Sequence, residues 1–367
     1  MRITSHPFFQ KYLLPGVIFQ SVVIAGGYGT GREIVEYFLS FGPGGGLLSM
    51  AVSTVMWSVL CAATFEFCRA FRAYDYRSFF KHLLGRAWFL FEICYLTYLL
   101  ILMAVIASSA GHILEETLGL HYYVGVIGIL LGTGILVFWG SRLIEVTLSY
   151  WSFFLYAIFI VFVTLAFTQF GEKITSLLGG WETKDGWLVG GFQYAFYNMG
   201  VIPVVFFATR YIEKRKQAVW AGVLAGVIGI FPAFLLFLSL VGQYPAVLGE
   251  AVPTNYMLGV FGSPWFQLAY QIMLFGTLIE SSSGCIHAVN DRIKSVFDQK
   301  AREMPSWIRP AVATALLAAG AVIAQFGLIG LIAQGYGTIA WGFLFVFVIP
   351  VLTLGVWKAL RKGRPSL

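Results

Sequence analysis

Ten apolar stretches, most of about 20 residues or more, set the pattern along the chain, with short polar runs between them. They fall at about 12–39, 45–68, 88–112, 122–139, 143–168, 188–209, 218–241, 265–288, 310–325 and 328–357. Lengths of this order match helices crossing roughly 30 Å of hydrocarbon. Between the second and third, Arg69, Arg72, Arg77, Lys81 and Arg86 alternate with Phe79 and Phe80. That pattern predicts an amphipathic helix lying in the membrane interface. The polar stretch 171–187 divides the chain into a first repeat, 1–170, and a second, 171–367, each holding five spans. An odd number of spans per half makes the second half enter from the opposite side, so the prediction is an all-α membrane protein built as an inverted repeat.

The first span is interrupted. Gly26-Gly-Tyr-Gly-Thr-Gly31 places four glycines in six positions, each costing roughly 1 kcal/mol of helix relative to alanine. A break in hydrocarbon leaves backbone N–H and C=O groups without partners. It is tolerated only where it is buried in protein or lines a cavity. The sixth span carries a second weak point at Asn198-Met-Gly200, with Pro203 beyond it. The first span of each half is thus expected to be discontinuous, which points to a solute site between them. A glycine seam for helix packing is the alternative, although such seams space their small residues by four.

Composition removes the soluble classes. The chain is 59% hydrophobic and only 11% charged, with a mean hydropathy of +0.80, against about a quarter charged in soluble domains. The net charge of +7 follows topology rather than a nucleic-acid face. Of the 24 Lys and Arg, 21 lie in connections on the side of the termini, leaving Arg32, Lys173 and Lys184 opposite. That asymmetry puts both termini in the cytoplasm of a bacterial inner membrane, with lipid as the surrounding partner and no nucleic acid. Cys61, Cys68, Cys94 and Cys285 form no ligand or disulfide spacing. No enzyme motif is present: the glycine cluster follows no strand and lacks the Gly-Lys-Ser/Thr ending of a P-loop.

The break suggests roles for its residues. A half-helix starting near Gly31 turns N–H groups and a positive dipole end toward the cavity, suited to a carboxylate. The half-helix ending near Ala25 turns carbonyls toward a cation. Gly26, Gly27, Tyr28, Gly29, Thr30 and Gly31 are therefore candidate solute contacts, with Tyr28 either binding or packing. Arg32 and Glu33 follow inside the membrane, where charge is costly and normally paired or functional. They are candidates for a gate or coupling pair, with Glu36 as another partner; the alternative is that Arg32 reaches solvent. In the sixth span Gln193, Tyr194, Tyr197 and Asn198 supply a polar-aromatic group, of which 194, 197 and 198 share one helix face. It serves either a small zwitterion or amine, or hydrogen bonds within the bundle. The eighth span offers Thr277 and Glu280-Ser-Ser-Ser283. Its hydroxyls suit a hard cation, and Glu280 is an intramembrane carboxylate able to carry protons.

Gly26-Gly-Tyr-Gly-Thr-Gly-Arg-Glu33, followed by Gln193-Tyr-Ala-Phe-Tyr-Asn198, resembles the bacterial YkvI-like membrane proteins of the amino acid–polyamine–organocation superfamily. The resemblance covers essentially the whole chain. It implies a LeuT-type fold of ten helices, with the first and sixth unwound around a small solute. Sodium-coupled members of that fold set paired hydroxyls of the eighth helix opposite carbonyls of the first break. By resemblance, Ser281 and Ser282, with Thr277 nearby and carbonyls near Ala25 and Tyr28, would hold Na⁺, and no other cofactor is implied. Proton-coupled relatives often carry a basic residue in the fifth span instead; here Arg142 lies only at its start, which favours Na⁺ over H⁺. The expected function is ion-coupled secondary transport of a small amino acid-like or amine solute by alternating access. The rival is a membrane ligand sensor using the same fold. These motifs carry no information on oligomeric state or on the direction of transport.

Overall fold

In a computed structural model of the protein, the backbone is described for residues 6–24, 26–139, 141–299 and 302–362. Among these residues the chain is helical and contains no strand. Eight helical stretches are long and apolar enough to cross a membrane. The divided first span and the shorter helix Tyr122–Trp139 complete the predicted ten.

The first span breaks where its glycines cluster. Helix Leu14–Val23 stops at Ile24, whose ψ of 74° leaves the helical region. A single turn, Gly26–Gly29, follows, and then Gly31 at φ +78°, in the left-handed region where a Cβ is penalised. Helix resumes over Arg32–Tyr37. The sixth span divides differently. Its α-helix, Trp187–Asn198, continues as a 3₁₀ helix over Met199–Tyr211. Pro203 lies inside that segment and lacks the N–H an α-helix needs. Thirteen residues of 3₁₀ geometry is long for so tight a helix, and such stretches mark hinges.

A glycine seam does exist, but elsewhere. Gly222 and Gly226 of the seventh span, four residues apart, lie against the second span. A Cβ at Gly222 would stand 2.2 Å from the backbone nitrogen of Ala62, and one at Gly226 would stand 2.2 Å from Ser58 Oγ. Small residues spaced by four bring two backbones together, whereas the cluster at 26–31 opens a helix.

Three boundaries differ from expectation. The fifth span belongs to a helix, Ser141–Gly179, that runs past the apolar stretch, so the polar connection shrinks to 180–186. Hydropathy ends at the membrane surface, but hydrogen bonding carries the helix onward into water. The basic connection forms helix Tyr76–Leu84, capped by Asp75 accepting from the Ser78 N–H at 2.8 Å. Its apolar face is covered by protein rather than left to lipid: Phe79 stacks on Phe206 at 4.4 Å and Phe80 on Phe91 at 3.7 Å. Between the seventh and eighth spans, the 3₁₀ turn Ala246–Gly249 and helix Pro253–Phe261 form a lid over the first break.

Candidate functional site

The broken backbone of the first span is satisfied by this lid and by the eighth span. The Gly29 carbonyl accepts from the Tyr270 hydroxyl at 3.0 Å and the Thr254 hydroxyl at 3.2 Å. The Thr30 carbonyl accepts from the Thr254 N–H at 3.0 Å and its hydroxyl at 3.1 Å. Gly27 is served by the Thr30 hydroxyl at 2.7 Å. Arg32, only 5% exposed, fastens the same lid. Its guanidinium donates to the carbonyls of Leu248 at 2.8 Å and Glu250 at 3.1 Å, and pairs with Glu36 at 2.7 Å. The ion-pair partner of Arg32 is Glu36, not Glu33.

Glu33 turns the other way, into the core. It is 3% exposed and accepts from the Tyr197 hydroxyl at 2.5 Å, which ties the two divided spans together. Gly27 leaves room for its carboxylate: a Cβ there would sit 2.2 Å from Glu33 Oε1. Aromatic rings enclose this pair. Tyr197 stacks on Tyr336 at 4.5 Å and meets Tyr37 at 5.4 Å and Tyr194 at 5.6 Å. Tyr336 closes a π-helical turn, Leu331–Tyr336, of the tenth span, a distortion often found at functional sites. The hydroxyls of Tyr28 and Tyr194 are buried with no hydrogen-bond partner among the described residues. Asn198 donates within its own helix to the Tyr194 carbonyl, and Gln193 donates across to the Gly337 carbonyl at 3.4 Å.

On the opposite side of the break from the lid lies a cavity of about 340 Å³. Ser21 and Ile24 line it from the first span, Tyr95 and Tyr98 from the third, and Val201 and Val204 from the sixth. By chain order these belong to the halves of their spans on the side of the N-terminus. Thr277, Glu280 and Ser281, which share one face of the eighth span, form the facing wall.

The residues expected to hold Na⁺ do not all converge. Thr277 and Ser281 face the cavity. Ser282 is turned to the fourth span, 2.6 Å from the Thr133 hydroxyl. The Tyr28 carbonyl accepts from the Gly31 N–H at 2.9 Å. Ala25 lies outside the described residues. Sequence reasoning missed Thr254, Tyr270 and Tyr98, and read Tyr336, in Gln334-Gly-Tyr-Gly337, as packing more than pathway. Each lies in an apolar or loop segment without a distinctive motif, and only the fold brings it to the break. Outside the spans, Lys11 bonds Glu213 at 2.8 Å and so fastens the first span to the turn after the sixth. That hydrogen bond and charge hold the Glu213 carboxyl below its ordinary range.

Among the described residues, eight membrane-length helices, a short apolar helix and a first span divided at its glycines define a polytopic helical membrane protein of LeuT-type fold. A solved Na⁺-coupled sialic acid symporter, in a substrate-bound outward-open state, aligns with a TM-score of 0.51 at 12% identity, covering 95% of this chain and 87% of its own. A manganese transporter from Eremococcus coleocola aligns with a TM-score of 0.43 at 12% identity, covering 98% of this chain and 89% of its own. In sequence, the chain is similar to the uncharacterized membrane protein YkvI of Bacillus subtilis (strain 168). The two are 25% identical over 297 residues, or 78% of this chain and 82% of the relative. No family model matches the chain.

Proposed function

We propose that the protein is a secondary transporter that moves a small amino acid-like or amine solute across the bacterial inner membrane by alternating access. The observation that supports this reading most is the asymmetry at the first break. Arg32, Thr254 and Tyr270 close one side through seven hydrogen bonds and ion pairs to span and lid, while the other side holds the cavity. A sealed side and a hollow side around one divided helix are what a carrier needs in one of its two states. The two repeats, 1–170 and 171–367, would rock about the paired breaks. The distribution of basic residues supports cytoplasmic termini, so the cavity belongs to the cytoplasmic side.

Coupling to a cation gradient accompanies this reading, with Na⁺ favoured over H⁺. Thr277 and Ser281, beside Glu280, supply oxygen ligands of the hard type Na⁺ prefers.

A cysteine at Gly284 tests alternating access. That glycine lines the cavity, and a Cβ built there meets nothing within 4 Å. With Cys94 and Cys285 replaced by alanine, Gly284→Cys in oriented vesicles should react with membrane-impermeant thiol reagents from both faces. Reactivity from one face alone, under every Na⁺ and solute condition, would sink the transporter reading and favour the sensor.

A further inference from the structure

Among its described lining residues the cavity carries acid without base. Glu280 is the one carboxylate among them, and it has no hydrogen-bond or ion-pair partner among the described residues. No Lys, Arg or His is among the described lining residues. Arg292, about three turns past Glu280 on the same helix, is not among the lining residues. Its guanidinium is packed against the rings of Tyr76 at 4.0 Å and Tyr95 at 3.7 Å and bonded to Glu92 at 3.3 Å.

Two of the lining hydroxyls reinforce the bias. Ser21 spends its proton on the Ile18 carbonyl at 2.8 Å, and Thr277 spends its own on Met273 at 2.9 Å. Each therefore turns lone pairs, not a proton, to the cavity. Tyr98 and Tyr156 add aromatic rings, whose faces attract cations, while one face of Tyr95 already carries Arg292.

A solute carboxylate finds no comparable welcome at the break. The Gly31 N–H is bonded to the Tyr28 carbonyl, and the Arg32 N–H to the Thr30 hydroxyl at 3.3 Å. Glu33 already places a carboxylate against Gly27, so a second anion there would meet like charge.

We infer that the solute is an organic monocation, an amine without a carboxylate, whose ammonium sits on Glu280 and whose apolar body lies among Tyr95, Tyr98 and Tyr156. This rests on the transport reading and narrows its solute to the class that a cavity with one described carboxylate and no described basic side chain recognises. An ammonium supplies donors and charge and needs neither acceptor nor base from the protein. A zwitterion of the same body adds a carboxylate that finds no cationic side chain among the described lining residues, only hydroxyls such as those of Ser281, Tyr95 and Tyr98, and that stands close to the like charge of Glu280.

The test compares phenethylamine with phenylalanine, which share a body and differ by the carboxylate. The full chain carrying Gly284→Cys, reconstituted in vesicles, is exposed to an impermeant alkylating reagent with each compound in turn. Cyclohexylamine and isoamylamine serve as further carboxylate-free probes. Phenethylamine is expected to slow alkylation at concentrations where phenylalanine does nothing. Glu280→Gln should raise the concentration required by roughly 30-fold or more, the usual loss when one member of a buried charge pair is removed. Glu280→Asp should retain most of the protection. Unliganded labelling at the wild-type rate shows that the Gln variant is folded. Equal protection by phenylalanine, undiminished protection in Glu280→Gln, or no protection by any of the three amines at millimolar concentration overturns the inference. Each of those results leaves two-sided access to Gly284→Cys, and so the transport reading, intact.

Discussion

The Tyr197 hydroxyl lies 2.5 Å from a carboxylate oxygen of Glu33, joining the sixth span to the resumed half of the first. Both residues are buried. Removing that donor leaves a core carboxylate without its hydrogen bond. Tyr197→Phe should therefore cost roughly 1–3 kcal/mol, read as a lower thermal midpoint in detergent, while the stack on Tyr336 is preserved. Glu33→Gln should cost less, because its amide oxygen still accepts from the phenol. Equal loss in both variants would mean that the carboxylate charge, not the bond, matters.

Arg32 bonds two backbone carbonyls of the lid segment, Leu248 and Glu250, while pairing with Glu36 on its own helix. Arg32→Gln removes charge and most of the donors, so the sealed face should open more often. The expected readout is faster labelling of Gly284→Cys from the outer face and slower labelling from the inner. Unchanged labelling from both faces would leave Arg32 a packing residue.

Glycines of two kinds should answer alanine differently. Gly222 faces the Ala62 backbone, which cannot rotate aside, and a Cβ would come within 2.2 Å of it. Gly222→Ala should cost about 1–3 kcal/mol through separation of the second and seventh spans. Gly128 meets nothing within 4 Å, so Gly128→Ala should stay within about 0.5 kcal/mol of the parent. Thermal unfolding of the pair checks both.

If one unpaired carboxylate serves solute and coupling ion, the two compete. Seating Na⁺ and an ammonium together would leave an uncompensated positive charge in a poorly hydrated cavity. Raising Na⁺ at constant ionic strength should therefore weaken phenethylamine protection of Gly284→Cys, and this dependence should vanish in Glu280→Gln. Stronger protection with Na⁺ would place the ion apart from Glu280.

Much of the architecture was legible along the chain because membrane helices announce themselves one at a time. Length, hydropathy and the distribution of basic residues are local quantities, and a hydrocarbon solvent leaves helix as the means of satisfying an isolated backbone. The glycine cluster likewise marked its own break, since Gly31 needs a left-handed conformation wherever the chain goes afterwards. The polar tail of the fifth-span helix escaped, because hydropathy stops where hydrogen bonding does not.

Partnership was decided only in three dimensions. Arg32 and Glu33 are neighbours in sequence and read equally well as one pair. A helix turns about 100° per residue, so one reaches the lid and Glu36 while the other reaches Tyr197. Ser281 and Ser282 divide for the same reason, one to the cavity and one to Thr133. The sequence by itself determined the number of spans, their breaks and their likeness to a transporter fold. The tertiary structure decided which polar side chains share a space, because that depends on helix rotation and on residues up to 295 positions apart, as with Tyr37 and Ile332.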